Sequence, residues 1–265
     1  VVSVNPTTEE IFGELDESSD ADILEKVFNA RKDNSWTEKS VVERAGILSR
    51  ISDLLEDYKE ELATTMAMEI GKPVKAGRHE VEIAKKRVID FCSMIPSFLE
   101  DEVLFENENE KNVVVFEPRG IVVVISPWNA PVFVPLASII PPLLCGNNII
   151  WKPSEHATFT GLVLEKIFNE LKEFGLDENA FQCVFGGKDI GRRLVESDVD
   201  MVALTGSIRA GKEVGKICGN DLKKFVLELG GKDPAIVLKD ADIEKAAREI
   251  VKSSTMYTGQ VLFCC

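Results

Sequence analysis

Histidine is nearly absent: the 265 residues hold two, His79 and His156. A Ser–His or Cys–His catalytic machine would have to use one of them. Cysteine is scarce as well, with six in all and no CxxC pair, so the spacing gives no zinc site. Positive charge is in deficit, 31 Lys+Arg against 45 Asp+Glu, for a formal net charge of −14. That balance argues against nucleic acid and anionic membrane as partners. No long apolar run is present; the most apolar stretch, Pro131 to Gly146, is broken by four prolines and is short for a membrane span. No basic segment followed by an apolar one opens the chain, so no secretory leader is read. Free thiols in a reducing, cytoplasmic compartment are therefore expected. The chain starts at Val1 rather than Met, so a preceding segment is expected.

What is present is ordinary for a globular protein: 45 % hydrophobic and 29 % charged residues. The length allows a sizeable core, in one large domain or two smaller ones. The first hundred residues read mostly as helices. Leu48, Ile51, Leu54 and Leu55 recur at helical spacing, with Gly71 and Pro73 as stop signals. Val81, Ala84, Val88 and Phe91 mark a second helical face that Pro96 should end, and His79 sits among its charges as a solvated residue. "EVLFENENEKNVVVFEP" places an Asn/Glu-rich turn between two apolar runs and reads as a hairpin.

From Gly120 the pattern changes. Apolar runs suited to buried strands occupy Ile121–Ser126, Asn148–Trp151, Phe181–Phe185, Met201–Leu204 and Phe225–Leu229, with helical patterns between most of them. Such alternation predicts an α/β fold whose parallel sheet is covered on both faces. Open sheets of this kind bind ligands at the turns after their strands.

Four such turns carry chemical groups. "ISPWNAP" holds Asn129 between Trp128 and two prolines; its amide can donate to an oxyanion, or simply form the turn. "WKPSE" ends a strand with Lys152, Ser154 and Glu155, able to meet a ribose or to cap the next helix, and His156 belongs to that loop. "LTGSIRAGKEVG" puts Gly206 and Ser207 at a helix start, where free N–H groups favour phosphate, although Ser207 capping the helix explains the pattern equally well and no GxGxxG is present. "LELGGKDP" places Glu228 near the end of an apolar strand, as a buried general base or as a buried carboxylate with a partner.

In order and spacing, "PWN", "KPSE", "TGS", "ELGGK" and a late "GQ" before cysteine resemble the aldehyde dehydrogenase superfamily. The early "NPTTEE" and "EPRGIVVVISPWN" resemble it too, and the resemblance covers essentially the whole chain but only about the first half of the family's length. It implies NAD as cofactor, an aldehyde as small-molecule substrate, and a homo-oligomeric full-length parent. It implies a helical N-terminal part over 1–100, an oligomerisation-type hairpin over 101–118, and a Rossmann-like NAD-binding core over 119–230. Residues 231–265 would then begin a catalytic domain that is largely missing, leaving the chain as written incomplete and inactive. Carried over by residue, Asn129 holds the oxyanion and Glu228 activates water. Ile125, Ser126, Pro127 and Trp128 line the cofactor cleft, while Lys152, Ser154 and Glu155 lie at the adenosine ribose and favour NAD over NADP. Gly206 and Ser207 lie beside the pyrophosphate, Leu229 and Gly230 border the nicotinamide, and the region of Gly186 and Gly191 approaches adenine or phosphate.

The nucleophile departs from the family pattern Gly-Gln-x-Cys. Gly259, Gln260 and Val261 are followed by Leu262, and "VLFCC" looks like "VCC" with Leu262 and Phe263 inserted. One reading makes Cys264 the nucleophile with Cys265 beside it; another takes the stretch after Val261 as aberrant; a third pairs the two thiols in a vicinal disulfide. Two further readings remain: a non-catalytic nucleotide-binding or interaction protein on the same fold, and a CoA-acylating relative, which the intact "ELGGK" disfavours.

Overall fold

The computed structural model describes residues 1–261. Among the described residues the strands are β1 (Val2–Val4), β2 (Ile11–Glu14), β3 (Glu102–Glu106), β4 (Lys111–Val114), β5 (Ile121–Ile125), β6 (Asn148–Lys152), β7 (Phe181–Cys183), β8 (Met201–Gly206) and β9 (Lys224–Leu229). The helices are α1 (Asp20–Lys32), α2 (Ser35–Glu38), α3 (Val41–Ser49), α4 (Ile51–Asp57), α5 (Lys59–Ile70) and α6 (Val74–Phe98), then α7 (Phe133–Leu144), α8 (Thr158–Leu171), α9 (Lys188–Glu196), α10 (Ile208–Asn220) and α11 (Ile243–Ser254).

Local signals place the helix ends. Ser19 with Asp22, and Ser40 with Glu43, form reciprocal capping boxes that satisfy orphan donors at the starts of α1 and α3. Gly71 closes α5 with φ +70°, a left-handed conformation that glycine adopts without a Cβ penalty. Helix α6 runs through Pro96 to Phe98 rather than ending at the proline, since a proline in the last turn forfeits a single backbone donor.

The five strands from β5 to β9, apart from the excursion of order, form one parallel sheet arranged β7-β6-β5-β8-β9. Alternate residues feed two cores, as the two-residue period of a strand requires. Val122, Val124, Ile149 and Trp151 face a core completed by α3 to α8. Ile121, Val123, Ile150, Val202 and Leu204 face a second core with residues of α1, α9 and α10. This is the doubly covered α/β arrangement expected from the apolar runs, and each expected run overlaps one of the five strands, β6, β8 and β9 extending one or two residues beyond theirs.

Two small antiparallel ribbons stand outside the sheet. The hairpin β3–β4 is present and exposed along both strands. The ribbon β1–β2 is not in the sequence reading, because its strands are three and four residues long and lack a sustained alternation. Among the described residues, no helix is long and apolar enough to cross a membrane, and no group of three or more His, Cys, Asp or Glu could hold a metal ion.

Candidate functional site

The strand order reverses between β5 and β8, and a crevice opens there beyond the carboxyl ends of the strands. It is a cleft of about 630 Å³. Ile125, Ser126, Pro127, Trp128 and Asn129 line it from the β5 turn; Lys152, Ser154 and Glu155 from the β6 turn; Gly206 and Ser207 from the β8 turn; and Gly230 from the end of β9. Gly259, Gln260 and Val261 close one side. Sequence positions more than a hundred residues apart are thus brought to one cavity.

Each turn is fixed locally. Ser126 is buried, donates its N–H to the Lys152 carbonyl at 3.2 Å, and accepts the Trp151 indole N–H at 2.9 Å. The side chain of Asn129 donates Nδ2–H to the Gln260 carbonyl at 2.5 Å. That bond points the amide toward the segment that leads to the cysteine pair. Cys264 itself lies outside the described residues.

Lys152 is 3 % exposed, donates to the Pro153 carbonyl at 2.9 Å, and stands 3.8 Å from a Glu155 carboxylate oxygen. Burial pushes its ammonium below the usual lysine range, against the pull of Glu155 and Glu17. Gly191 packs against this lysine, where a Cβ would come within 3.3 Å of its Cε. Gly191 lines a neighbouring cavity of about 230 Å³ between α9 and α10, together with Lys188, Arg192 and Arg209.

Ser207 caps α10, its hydroxyl accepting the Ala210 N–H at 3.2 Å. The first N–H groups of a helix lack intrahelical partners, and Ser207, Arg209 and Ala210 at the start of α10 line the cleft. Close packing sets the position of this helix: a Cβ on Gly211 would lie 2.5 Å from a Leu229 methyl. The residues fit a dinucleotide: helix N–H donors for phosphate, a buried cation with a half-exposed carboxylate for a ribose, and a glycine-bordered wall.

Three assignments are placed differently from the sequence reading. Leu229 packs over Gly211 and does not line the cleft, because residues of β9 alternate faces. Gly186 lines neither cavity; it holds the turn after β7 at φ +147°, where a Cβ would meet Ile190 at 2.5 Å. Glu228 is exposed rather than buried, because the face of β9 that it shares with the exposed Val226 is left uncovered, whereas Leu227 and Leu229 on the other face pack against the second core. Its side chain lines a separate cavity of about 770 Å³ with Ala137, Met201 and Val226, on the face that carries α7.

Sequence reasoning also missed groups that the fold brings in. Arg209 lines both cavities, and its place two residues after Ser207 was the available signal. Behind the Asn129 loop, Lys72 and Glu80 form a buried ion pair. His79 and His156 are both exposed, the latter at the cleft rim.

A parallel sheet with a crevice at its reversal point defines an open α/β protein of the class that binds ligands beyond the carboxyl ends of its strands. The family model described as "Aldehyde dehydrogenase family" matches residues 1–265. The chain belongs to the aldehyde dehydrogenase family. It is 33 % identical to the lactaldehyde dehydrogenase of Escherichia coli (strain K12), covering 98 % of this chain and 54 % of that protein. It is 32 % identical to the succinate-semialdehyde dehydrogenase [NADP(+)] of Deinococcus radiodurans, over 97 % of this chain and 54 % of that protein. The NAD+ complex of an aldehyde dehydrogenase from Bacillus cereus superposes with a TM-score of 0.92 at 29 % identity, covering 100 % of this chain and 54 % of that one. The chain therefore spans about half the length of the relatives it matches.

Proposed function

We propose that this chain binds NAD in the cleft and belongs to an enzyme that oxidises an aldehyde to a carboxylic acid through a thioester on Cys264. The observation that carries the reading is the convergence in one cavity of the Asn129 amide, the Gly259–Val261 segment and the start of α10. When bound, the dinucleotide supplies the two-electron acceptor. Ser207 and the free N–H groups of α10 hold its phosphates, and Lys152 and Glu155 hold a ribose. A Cys264 thiolate adding to an aldehyde carbon leaves an oxyanion, to which the Asn129 amide donates without itself carrying charge. By the family resemblance, Glu228 is the group that would take a proton from the water that releases the acid, although here its side chain lines the separate cavity with Ala137 and Val226.

A second reading has its own support. Glu228 stands in a different cavity from Asn129, and Leu262 occupies the family's nucleophile position, which favours a non-catalytic nucleotide-binding role for the 265-residue chain by itself. The test measures NAD binding by calorimetry and NADH production over a panel of aldehydes. Cysteine-dependent turnover, lost in Cys264→Ser, selects the first reading. Binding without turnover selects the second, and failure to bind either nicotinamide dinucleotide overturns both.

A further inference from the structure

We propose that Lys72 and Glu80 are positioning residues for the Asn129 amide, an inference that rests on the assignment of Asn129 as oxyanion donor. Both charges are buried, at 5 % and 1 % exposure, and they pair with each other through Lys72 Nζ and Glu80 Oε2. Neither charge spends its bonding capacity only on the other. Lys72 Nζ also donates to the backbone carbonyl of Asn129 at 2.7 Å. Glu80 Oε1 accepts the N–H groups of Val132 at 2.8 Å and Phe133 at 3.0 Å, at the entry to α7. The loop carrying Asn129 is therefore gripped at the residue itself and again three and four residues later.

The same ammonium touches the opposite wall. Lys72 Nζ lies 4.1 Å from the centre of the Tyr257 ring, a cation–π contact with the turn Met256–Gly259. Tyr257 has φ +46°, a left-handed backbone that a bulky side chain adopts only when its surroundings impose it. That turn delivers the Gln260 carbonyl to which the Asn129 amide donates. One buried cation thus ties together the donor loop and the segment the donor faces. Burial pushes the Lys72 ammonium down, while Glu80 holds it up, so the pair is interdependent. A purely structural ion pair would need no bond to Asn129 and no contact with Tyr257.

The test uses the full chain in nitrogen-15 correlation spectra, so it does not depend on any aldehyde activity. The Asn129 side-chain NH2 signal is assigned by its loss in Asn129→Asp. The double variant Lys72→Met, Glu80→Gln leaves no unpaired buried charge and keeps an acceptor for Val132 and Phe133. Its expected effect is a shifted Asn129 NH2 signal with hydrogen exchange about tenfold faster, the loss of one hydrogen-bonded arrangement. The Trp36 indole, which donates to Leu143, and the Asn148 amide, which donates to Ala30 and Asp33, should stay unmoved. Lys72→Arg, which keeps the charge and the reach, should restore the Asn129 signal. Should that double variant not fold, Lys72→Gln, Glu80→Gln, which likewise leaves no unpaired buried charge, is read in the same way. An unchanged Asn129 signal in a folded variant, or one that moves only together with Trp36 and Asn148, overturns the proposal.

Discussion

Replacing Glu155 with Gln should erase most of the preference for NAD over NADP. The carboxylate borders both the main cleft and the neighbouring cavity, so a 2′-phosphate on a bound ribose must pass close to it. At about 5 Å, a unit charge pair interacts by about 3 kcal/mol at an effective dielectric of 20 and by about 0.8 kcal/mol in bulk water. The Glu155 side chain is 40 % exposed, which places the effect toward the lower figure. The partial double charge of a phosphate restores some of it, giving about 1.4 kcal/mol, or tenfold. The surroundings amplify the change rather than cancel it, because Lys188, Arg192 and Arg209 line the same cavity and, without the Glu155 charge, only Glu213 among its lining residues would oppose them. Arg192 is partly spent on Glu196, at 2.9 Å, which leaves Arg209 and Lys188 as the freer cations of the three. Calorimetric titration of both cofactors into the parent and Glu155→Gln chains measures the ratio directly. The expected outcome is tighter NAD binding by the parent and a roughly tenfold loss of preference in the variant, mainly through tighter NADP. Equal or tighter NADP binding by the parent, or an unchanged ratio in the variant, would refute the role given to Glu155.

Gly211→Val should destabilise the chain by about 1–3 kcal/mol and weaken dinucleotide binding, since its Cβ would meet Leu229 at 2.5 Å and push α10 from β9; unchanged melting temperature and affinity would contradict this. Burial pushes the Cys92 thiol up to about 11. Its thiolate fraction at pH 8 is then about one in a thousand, so iodoacetamide mapped by mass spectrometry should leave Cys92 unmodified in the native protein. The fully buried Cys183 and the buried Cys218, both raised first by burial, should likewise stay unmodified, and rapid native-state labelling of any of the three would be the adverse result.

The sheet was legible because buried parallel strands are apolar on both faces, and β5, with Val122, Val123 and Val124 each at most 1 % exposed, is the clearest instance. The cleft was legible for a related reason: polar or glycine-containing turns directly after such runs fall at the carboxyl edge of the sheet. Glu228 misled because the sequence around it reads as one more buried strand, whereas burial depends on what covers each face, and the face of β9 that carries Val226 and Glu228 is exposed. Lys72 and Glu80 were invisible for the opposite reason. A lysine after a helix and a glutamate within one read as solvated, and only the packing of α6 against the Asn129 loop, 57 residues away along the chain from Lys72, buries them. Short-range patterns report strands and turns; burial imposed by a distant segment leaves no local trace.

The acidic character of the chain does not conflict with an anionic ligand. A net charge of −14 would repel a dinucleotide if every charge acted at full strength. At physiological salt the screening length is about 8 Å, so the charges that matter are those lining the cleft and its neighbouring cavity. There the balance reverses: Lys152, Lys188, Arg192 and Arg209 stand against Glu155 and Glu213. The uncharged donors at the start of α10 add to the same sign. Lys152 contributes more than its surface cost suggests, because it is held by Glu155 and by the Pro153 carbonyl and is packed under Gly191, so little ordering is left to do when an anion arrives. The fold thus concentrates positive potential at the one place where four turns converge, and leaves the acidic surplus on exposed surfaces such as the β3–β4 hairpin and its Glu106, Glu108 and Glu110. Local arrangement, rather than composition, decides which anion this protein can hold.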